Sequence, residues 1–274
     1  MNSWPVVGLA IAAGIIIEAV ILKYVLELLE NSGSLRQNYR GDRIPISAGI
    51  TFPASVGLFF AIFSWYSGYD TDYLLFLIGI IGISFLGFID DQLGQHDTKG
   101  LKGHLGALFK GQLTTGGLKA VGGGLLALFL AWPNSSNLGH WILNSLLIAL
   151  FTNFLNLLDL RPGRAIKGFL LFLAIILLLS RGQTDPILFA PLVGTVLLYA
   201  PKDFSARAMM GDAGANVLGL TLGYICVLSL SFSSKIGILA GLVLIHIIAE
   251  KYSLTKIIYR VSFLRMIDQW GRRD

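Results

Sequence analysis

The chain has 274 residues, of which 54% are hydrophobic and only 14% charged, with a net charge of +5 and a mean hydropathy of +0.71. A soluble domain carries roughly 25% charged residues, so this composition excludes an ordinary water-soluble globular protein and indicates a polytopic membrane protein. Its single cysteine, Cys226, excludes an internal disulfide framework.

Apolar segments that approach the length of a membrane helix fall at about 4–28, 47–66, 73–90, 116–133, 140–158, 167–181, 184–200, 213–231 and 235–251. They predict an all-α transmembrane bundle of nine spans, forming one integral-membrane domain over 1–274. Met1-Asn2-Ser3-Trp4 runs straight into the first segment, without a basic n-region or an A-x-A site. That segment is therefore expected to be a retained helix. Nine spans send 18 basic residues to one side, from Arg36 in the first loop to Arg273 in the tail, and only Arg181 and Lys235 to the other. The positive-inside rule then predicts an outside N-terminus and a cytoplasmic C-terminus.

On the predicted cytoplasmic side, the loop before span two holds Arg40-Gly41-Asp42-Arg43-Ile44-Pro45, whose basic residues suit lipid headgroups or a phosphorylated substrate. Ordinary positive-inside charge is the alternative. Span three runs uncharged from Tyr73 to Phe88 and closes on Ile89-Asp90-Asp91. Adjacent carboxylates at a membrane helix end repel and are costly unless compensated, so a divalent cation or a shared proton is their natural companion. The following loop carries Lys99-Gly100-Leu101-Lys102, lysines separated by small residues that suit phosphate binding. His96 and His104 lack metal-site spacing and read as solvated.

Span five ends in Asn153-x-x-Asn156-x-x-Asp159, one helical turn between each, which predicts three polar side chains on one face. Helix–helix hydrogen bonding and the wall of a site open to the cytoplasm both fit. Met210-Gly211-Asp212-x-Gly214 opens span eight with free backbone N–H groups beside a carboxylate, a site or a plain N-cap. His246 and Glu250 share a face at i, i+4 near the end of span nine. From Ser253 to Trp270, Leu254, Ile257, Ile258, Val261, Leu264 and Ile267 form one stripe, which predicts an interfacial amphipathic helix.

In this order, Ile44-Pro45 with Gly49, Asp90-Asp91, the Asn153–Asp159 run and Met210-Gly211-Asp212-x-Gly214 resemble the polyprenyl-phosphate N-acetylhexosamine-1-phosphate transferases. That family includes phospho-MurNAc-pentapeptide translocase and the undecaprenyl-phosphate GlcNAc-1-phosphate transferases. The resemblance spans nearly the whole chain. It implies magnesium-dependent transfer of a sugar-1-phosphate from a UDP-sugar to undecaprenyl phosphate, with release of UMP, in cell-wall or surface-glycan synthesis. It also implies that Asp90, Asp91 and Asp212 are catalytic, with Asp90 deprotonating or orienting the lipid phosphate and Asp212 and Asp91 holding Mg2+. Asn153, Asn156, Asp159, Lys99, Lys102, Arg43, His246 and Glu250 are then expected to bind substrate. The partners expected are the polyprenyl phosphate, the UDP-sugar and the membrane. The reading leaves room for a homodimer and gives no role to nucleic acid.

The chain departs from the family where Asp-Gly-x-Asp-Gly would continue the asparagine run. Leu160 replaces the first glycine and Pro162 the second aspartate, which helps recognise uracil in relatives. Ala215 stands where a serine is usual, the histidine loop keeps one histidine, and no further span is expected after it. Altered donor specificity and a catalytically degenerate member, which binds lipid phosphate or regulates envelope synthesis, both stay open. A transporter would place its polar groups near mid-span and show internal repeats; neither pattern is found.

Overall fold

The computed structural model describes residues 4–94 and 114–272. Lys99, Lys102, His96 and His104 lie outside the described residues. Within them the chain forms eleven α-helices and one antiparallel hairpin. The long helices are α1 (Trp4–Asn31), α2 (Thr51–Ser67), α3 (Thr71–Leu93), α4 (Thr115–Ala131) and α5 (Leu138–Leu158), then α6 (Arg164–Ser180), α7 (Ala190–Phe204), α8 (Gly211–Ser229) and α9 (Phe232–Lys251). Two short helices, α10 (Leu254–Arg260) and α11 (Ser262–Gln269), end the chain. Side-chain caps set several starts. Asp70 accepts from the Asp72 amide at 2.8 Å, Thr114 from Gly117 at 3.1 Å and Asn137 from His140 at 2.9 Å.

The chain is an all-α, multi-pass membrane bundle. Among the described residues, seven helices are long and apolar enough to cross a bilayer: α1 to α5, α8 and α9. The predicted sixth and seventh spans are helices too, but of 17 and 15 residues. At 1.5 Å rise they reach only about 23–26 Å, short of the ~30 Å hydrocarbon layer. The seventh starts six residues later than expected, at Ala190 rather than 184. Asp185-Pro186 first makes a 3₁₀ turn, with Asp185 accepting from the Ile187 amide.

Helix α8 is the axis of the bundle. Nearly all of it is buried, and it packs on α3, α5 and α6. Its small residues recur every four positions, which lets neighbouring backbones come close. A Cβ on Gly219 would sit 2.4 Å from the Phe151 carbonyl oxygen, and one on Gly223 2.5 Å from the Ile148 Cα, so α5 lies against bare backbone. Around this axis α1 packs on α2 and α7, while α9 rests on α5 and is largely uncovered. The α1–α2 joint holds a fully buried carboxyl that sequence reasoning did not single out. Glu18 is gripped by the Thr51 and Ser55 hydroxyls at 2.6 Å each, the kind of internal partnering that a polar group at membrane depth requires.

Two segments differ from expectation at the basic end of the bundle. The loop between α1 and α2 is a hairpin, with β1 (Leu35–Gln37) antiparallel to β2 (Arg43–Pro45) and Arg36 opposite Ile44. Asn38 shapes its turn, its side-chain oxygen accepting from the Arg40 and Asp42 amides. The tail is two helices instead of one. Val261 leaves the helical region (φ −90°, ψ 109°), and Asp268 of α11 folds inward to Arg164.

Candidate active site

The adjacent aspartates at the end of α3 have separate environments. Asp91 is buried and its carboxyl is consumed by the protein itself. One oxygen accepts the Asp212 amide at 3.0 Å; the other accepts the Ala213 amide at 3.2 Å and the Ser47 hydroxyl at 2.8 Å. The first two donors are free N–H groups in the opening turn of α8, where a carboxylate also meets the positive end of the helix dipole. Asp91 thus pins the start of α8 to the end of α3. The pinning requires a bare backbone at Gly211, whose φ is +66° and whose Cβ would fall 2.3 Å from the Asp91 oxygen.

The segment leading into α2 joins the same knot. Ala48 and Gly49 donate to the Met209 and Met210 carbonyls at 3.0 Å, and Met209 donates to Pro45 at 2.8 Å. A Cβ on Gly49 would lie 2.2 Å from the Gly214 Cα. The two glycine motifs noted in the sequence therefore serve one backbone crossing.

Asp90, Asp212 and Asn156 converge one step outward around Lys119, in the first turn of α4. The Lys119 ammonium lies 2.8 Å from Asp90 and in direct contact with Asp212. With its amide nitrogen turned toward the carboxylate, the assignment that satisfies both neighbours, Asn156 donates to Asp212 at 2.9 Å and accepts from Lys119 at 3.1 Å. Three helices and the start of a fourth thus supply two carboxylates, an amide and an ammonium at one end of the bundle.

Asn156 and Asp212 of this cluster line a cleft of about 260 Å3, at the small end for a ligand site, while Asp90 and Lys119 sit beside it without lining it. Arg36, Asn38 and Tyr39 of the hairpin form one wall, and Asn156, Asp159, Leu160, Arg161 and Pro162 form the facing one. Asp203, Ala206, Ala208 and Met209 close the back, and Asp91, Gly211 and Asp212 form the floor. Arg36 donates to the Asp91 carbonyl at 3.0 Å, and Arg161 stands over the Tyr39 ring at 5.7 Å. Burial, then the Asp203, Asp212 and Asp91 carboxylates nearby, push the Asp159 carboxyl well above the usual carboxylate range.

The expected site residues therefore separate. Asp90, Asp91, Asp212, Asn156 and Asp159 come together. Asn153 is exposed and does not line the cleft, so the three-residue polar face contributes only two members. Arg43 is exposed on β2 and His246 and Glu250 sit on α9; none of the three lines the cleft. The ring of His246 is engaged with the Leu242 carbonyl one turn earlier. Sequence reasoning missed Lys119, counted only as loop charge, along with Ser47, Arg36 and Asp203. Lys119 had a signal, because the paired aspartates call for a cation and it stands in the opening turn of an otherwise apolar helix.

The donor set bears on the implied magnesium ion. Magnesium is commonly held by one or two carboxylates, with water and substrate phosphate completing its shell. Asp90 and Asp212 already share one cation, the Lys119 ammonium, and fit such a site. The Asp91 oxygens face amides and a hydroxyl and do not. Among the described residues no three His, Cys, Asp or Glu side chains gather as a closed metal cage. Comparison with known protein families and with characterised proteins returned no match.

Proposed function

We infer that this protein transfers a sugar-1-phosphate, of the N-acetylhexosamine type, from a UDP-sugar to undecaprenyl phosphate at the cytoplasmic membrane face. The observation that carries the reading is the Asp90–Lys119–Asp212–Asn156 cluster, whose Asp212 and Asn156 line a cleft at the basic end of a membrane bundle. The order of motifs in the sequence supports it. In this reading the short α6 and α7 cross a locally thinned bilayer beside the seven longer helices, and the hairpin, the cleft and the tail face the cytoplasm.

The reaction brings together two polyanions. A phosphate oxygen of the lipid attacks the β-phosphorus of the UDP-sugar. The new P–O bond yields a lipid-linked sugar diphosphate. The bond from that phosphorus to the bridging oxygen breaks, and UMP leaves with the electron pair. Lys119 offsets the negative charge gathered at the cluster, as fixed cations do in phosphoryl transfer. Asp90 orients the lipid phosphate or takes its proton, and Asn156 holds Asp212 in place. Magnesium, when bound by Asp90 and Asp212, supplies Lewis-acid neutralisation of the diphosphate. Asp91 acts one layer back, fixing α8 so that Asp212 points into the cleft. Arg36, Arg161 and Tyr39 line the side where the nucleotide would enter. Leu160 and Pro162, which replace the family's glycine and aspartate on that wall, favour altered donor selection with the phosphoryl chemistry retained.

The test is incubation of purified protein with radiolabelled UDP-sugars, undecaprenyl phosphate and magnesium, followed by lipid extraction. Label should enter the lipid fraction with at least one donor, and Asp212→Asn should abolish it. No label from any UDP-sugar, together with an Asp212→Asn variant that leaves cellular function intact, would replace the transferase with a binding or regulatory protein.

A further inference from the structure

The cleft wall made by Leu160, Arg161 and Pro162 lies in the turn between α5 and α6, and the end of the chain holds it from behind. Arg164, 4% exposed, forms a two-pronged ion pair with Asp268 of α11, at 2.7 and 3.1 Å, and donates to Thr255 of α10 at 3.0 Å. Lys167 donates to the Ile267 and Asp268 carbonyls at 2.9 and 2.8 Å. Arg272 reaches Asp268 at 2.8 Å and the Pro162 carbonyl at 3.1 Å. Pro162 and Arg161, next to these grips, line the cleft. Bidentate arginine–carboxylate pairs are the strongest of such contacts and fix geometry as well as position.

The other side of α11 has the opposite character. Asp268 is 4% exposed, whereas Phe263, Met266 and Trp270 are 64, 62 and 77% exposed. By helical spacing these three lie on the face away from Asp268. Lys256, Arg260 and Arg265 of the same tail are exposed as well. Exposed aromatic and sulfur side chains beside basic residues suit the headgroup layer of an anionic bilayer. The bilayer is close by, because the tail begins two residues after α9, itself a helix long and apolar enough to cross it.

We propose that Leu254–Arg272 is an interfacial strap: its exposed apolar and basic residues seat on an anionic lipid surface, and its Asp268 and Arg272 hold the cleft's 160–162 wall in place from behind. The cleft wall is then formed when the tail lies on the membrane and loosens when the tail leaves it. The strap does not depend on the transferase reading; only the identity of what enters the cleft does.

Hydrogen–deuterium exchange tests this on the full-length protein in vesicles of phosphatidylcholine, with or without phosphatidylglycerol. Two variants are compared with wild type. Asp268→Asn breaks the inward grip. Phe263→Ser/Met266→Ser/Trp270→Ser changes mostly exposed side chains that make no internal hydrogen bond, ion pair or ring contact, so it leaves the fold intact. Both variants should speed exchange of the amides at 160–167 by about tenfold or more, with α3 and α8 unchanged. Wild type should be slower in anionic than in neutral vesicles. Exchange at 160–167 indifferent to the triple variant and to lipid charge overturns the proposal. So does protection that instead follows protein concentration, since a second copy of the chain would then be the occupant. UDP-sugar binding measured on the same samples separates the two readings. A responsive wall in a protein that binds no UDP-sugar keeps the strap and sinks the donor assignment.

Discussion

Asp91→Ala tests whether the second aspartate of the pair is a brace or a reactant. The substitution removes the acceptor of three donors at once: the Asp212 amide, the Ala213 amide and the Ser47 hydroxyl. Each buried donor left without a partner costs about 1–3 kcal/mol. Loss of the negative charge at the α8 N-terminus adds about 0.3–1 kcal/mol. Water entering from the cleft can reach the outermost amide, so the sum settles at about 3–5 kcal/mol. For a chain of this size that is on the order of a 10 °C fall in apparent melting temperature. Asp91→Asn keeps one acceptor oxygen and should lose about half as much. Asp212→Asn should behave in the opposite way. Lys119 keeps Asp90 as its partner, so stability changes by roughly 1 kcal/mol or less while transfer is lost. The assay is thermal unfolding in detergent, read beside transfer activity for the three variants. If Asp91→Ala melts with wild type, or Asp212→Asn is the more destabilised of the two, the division of labour at this site is wrong.

Lys119→Ala should leave Asp90 and Asp212 facing each other without a cation, at a cost of about 2–3 kcal/mol, between that of an exposed and that of a fully buried pair. Millimolar magnesium should then raise the variant's melting temperature more than the wild type's; equal shifts would refute a cation site between the two carboxylates. A C-terminal reporter that functions only in the cytoplasm should be active, in line with the excess of basic residues on that side, and one active only outside would overturn the proposed topology.

The membrane bundle was legible because hydropathy reports on the solvent of each helix. The seven helices that satisfy the length of a bilayer are all among the nine apolar segments read from the sequence. Legibility fell where tertiary contacts overrode local pattern. The stripe from Leu254 to Ile267 reads as one amphipathic helix, yet the chain breaks at Val261. The deciding partners, Arg164 and Lys167, lie about 100 positions away in sequence, and no local periodicity encodes them. The hairpin between α1 and α2 was equally hidden, since three-residue strands leave too short an alternation to detect.

The site divides along the same line. Motifs with chemistry compressed into a few positions, Asp90-Asp91 and Gly211-Asp212, were found because their residue types are costly in a membrane unless used. The resemblance made both aspartates catalytic, Asp90 at the lipid phosphate and Asp91 at magnesium, whereas their environments are an amide cradle for Asp91 and a lysine for Asp90. The one-turn spacing from Asn153 to Asp159 predicted a shared face, but α5 turns Asn153 outward, exposed, while Asn156 and Asp159 line the cleft and Asn156 meets Asp212. Lys119 escaped notice because a lysine at the start of a membrane helix satisfies the positive-inside pattern without further cause. What marks it as functional is the pair of carboxylates brought to it by α3 and α8. A charge explained by topology is therefore a candidate for chemistry whenever an uncompensated group of opposite sign sits at the same depth on another helix. Applied here, that criterion selects Lys119 for Asp90-Asp91 and Asp212.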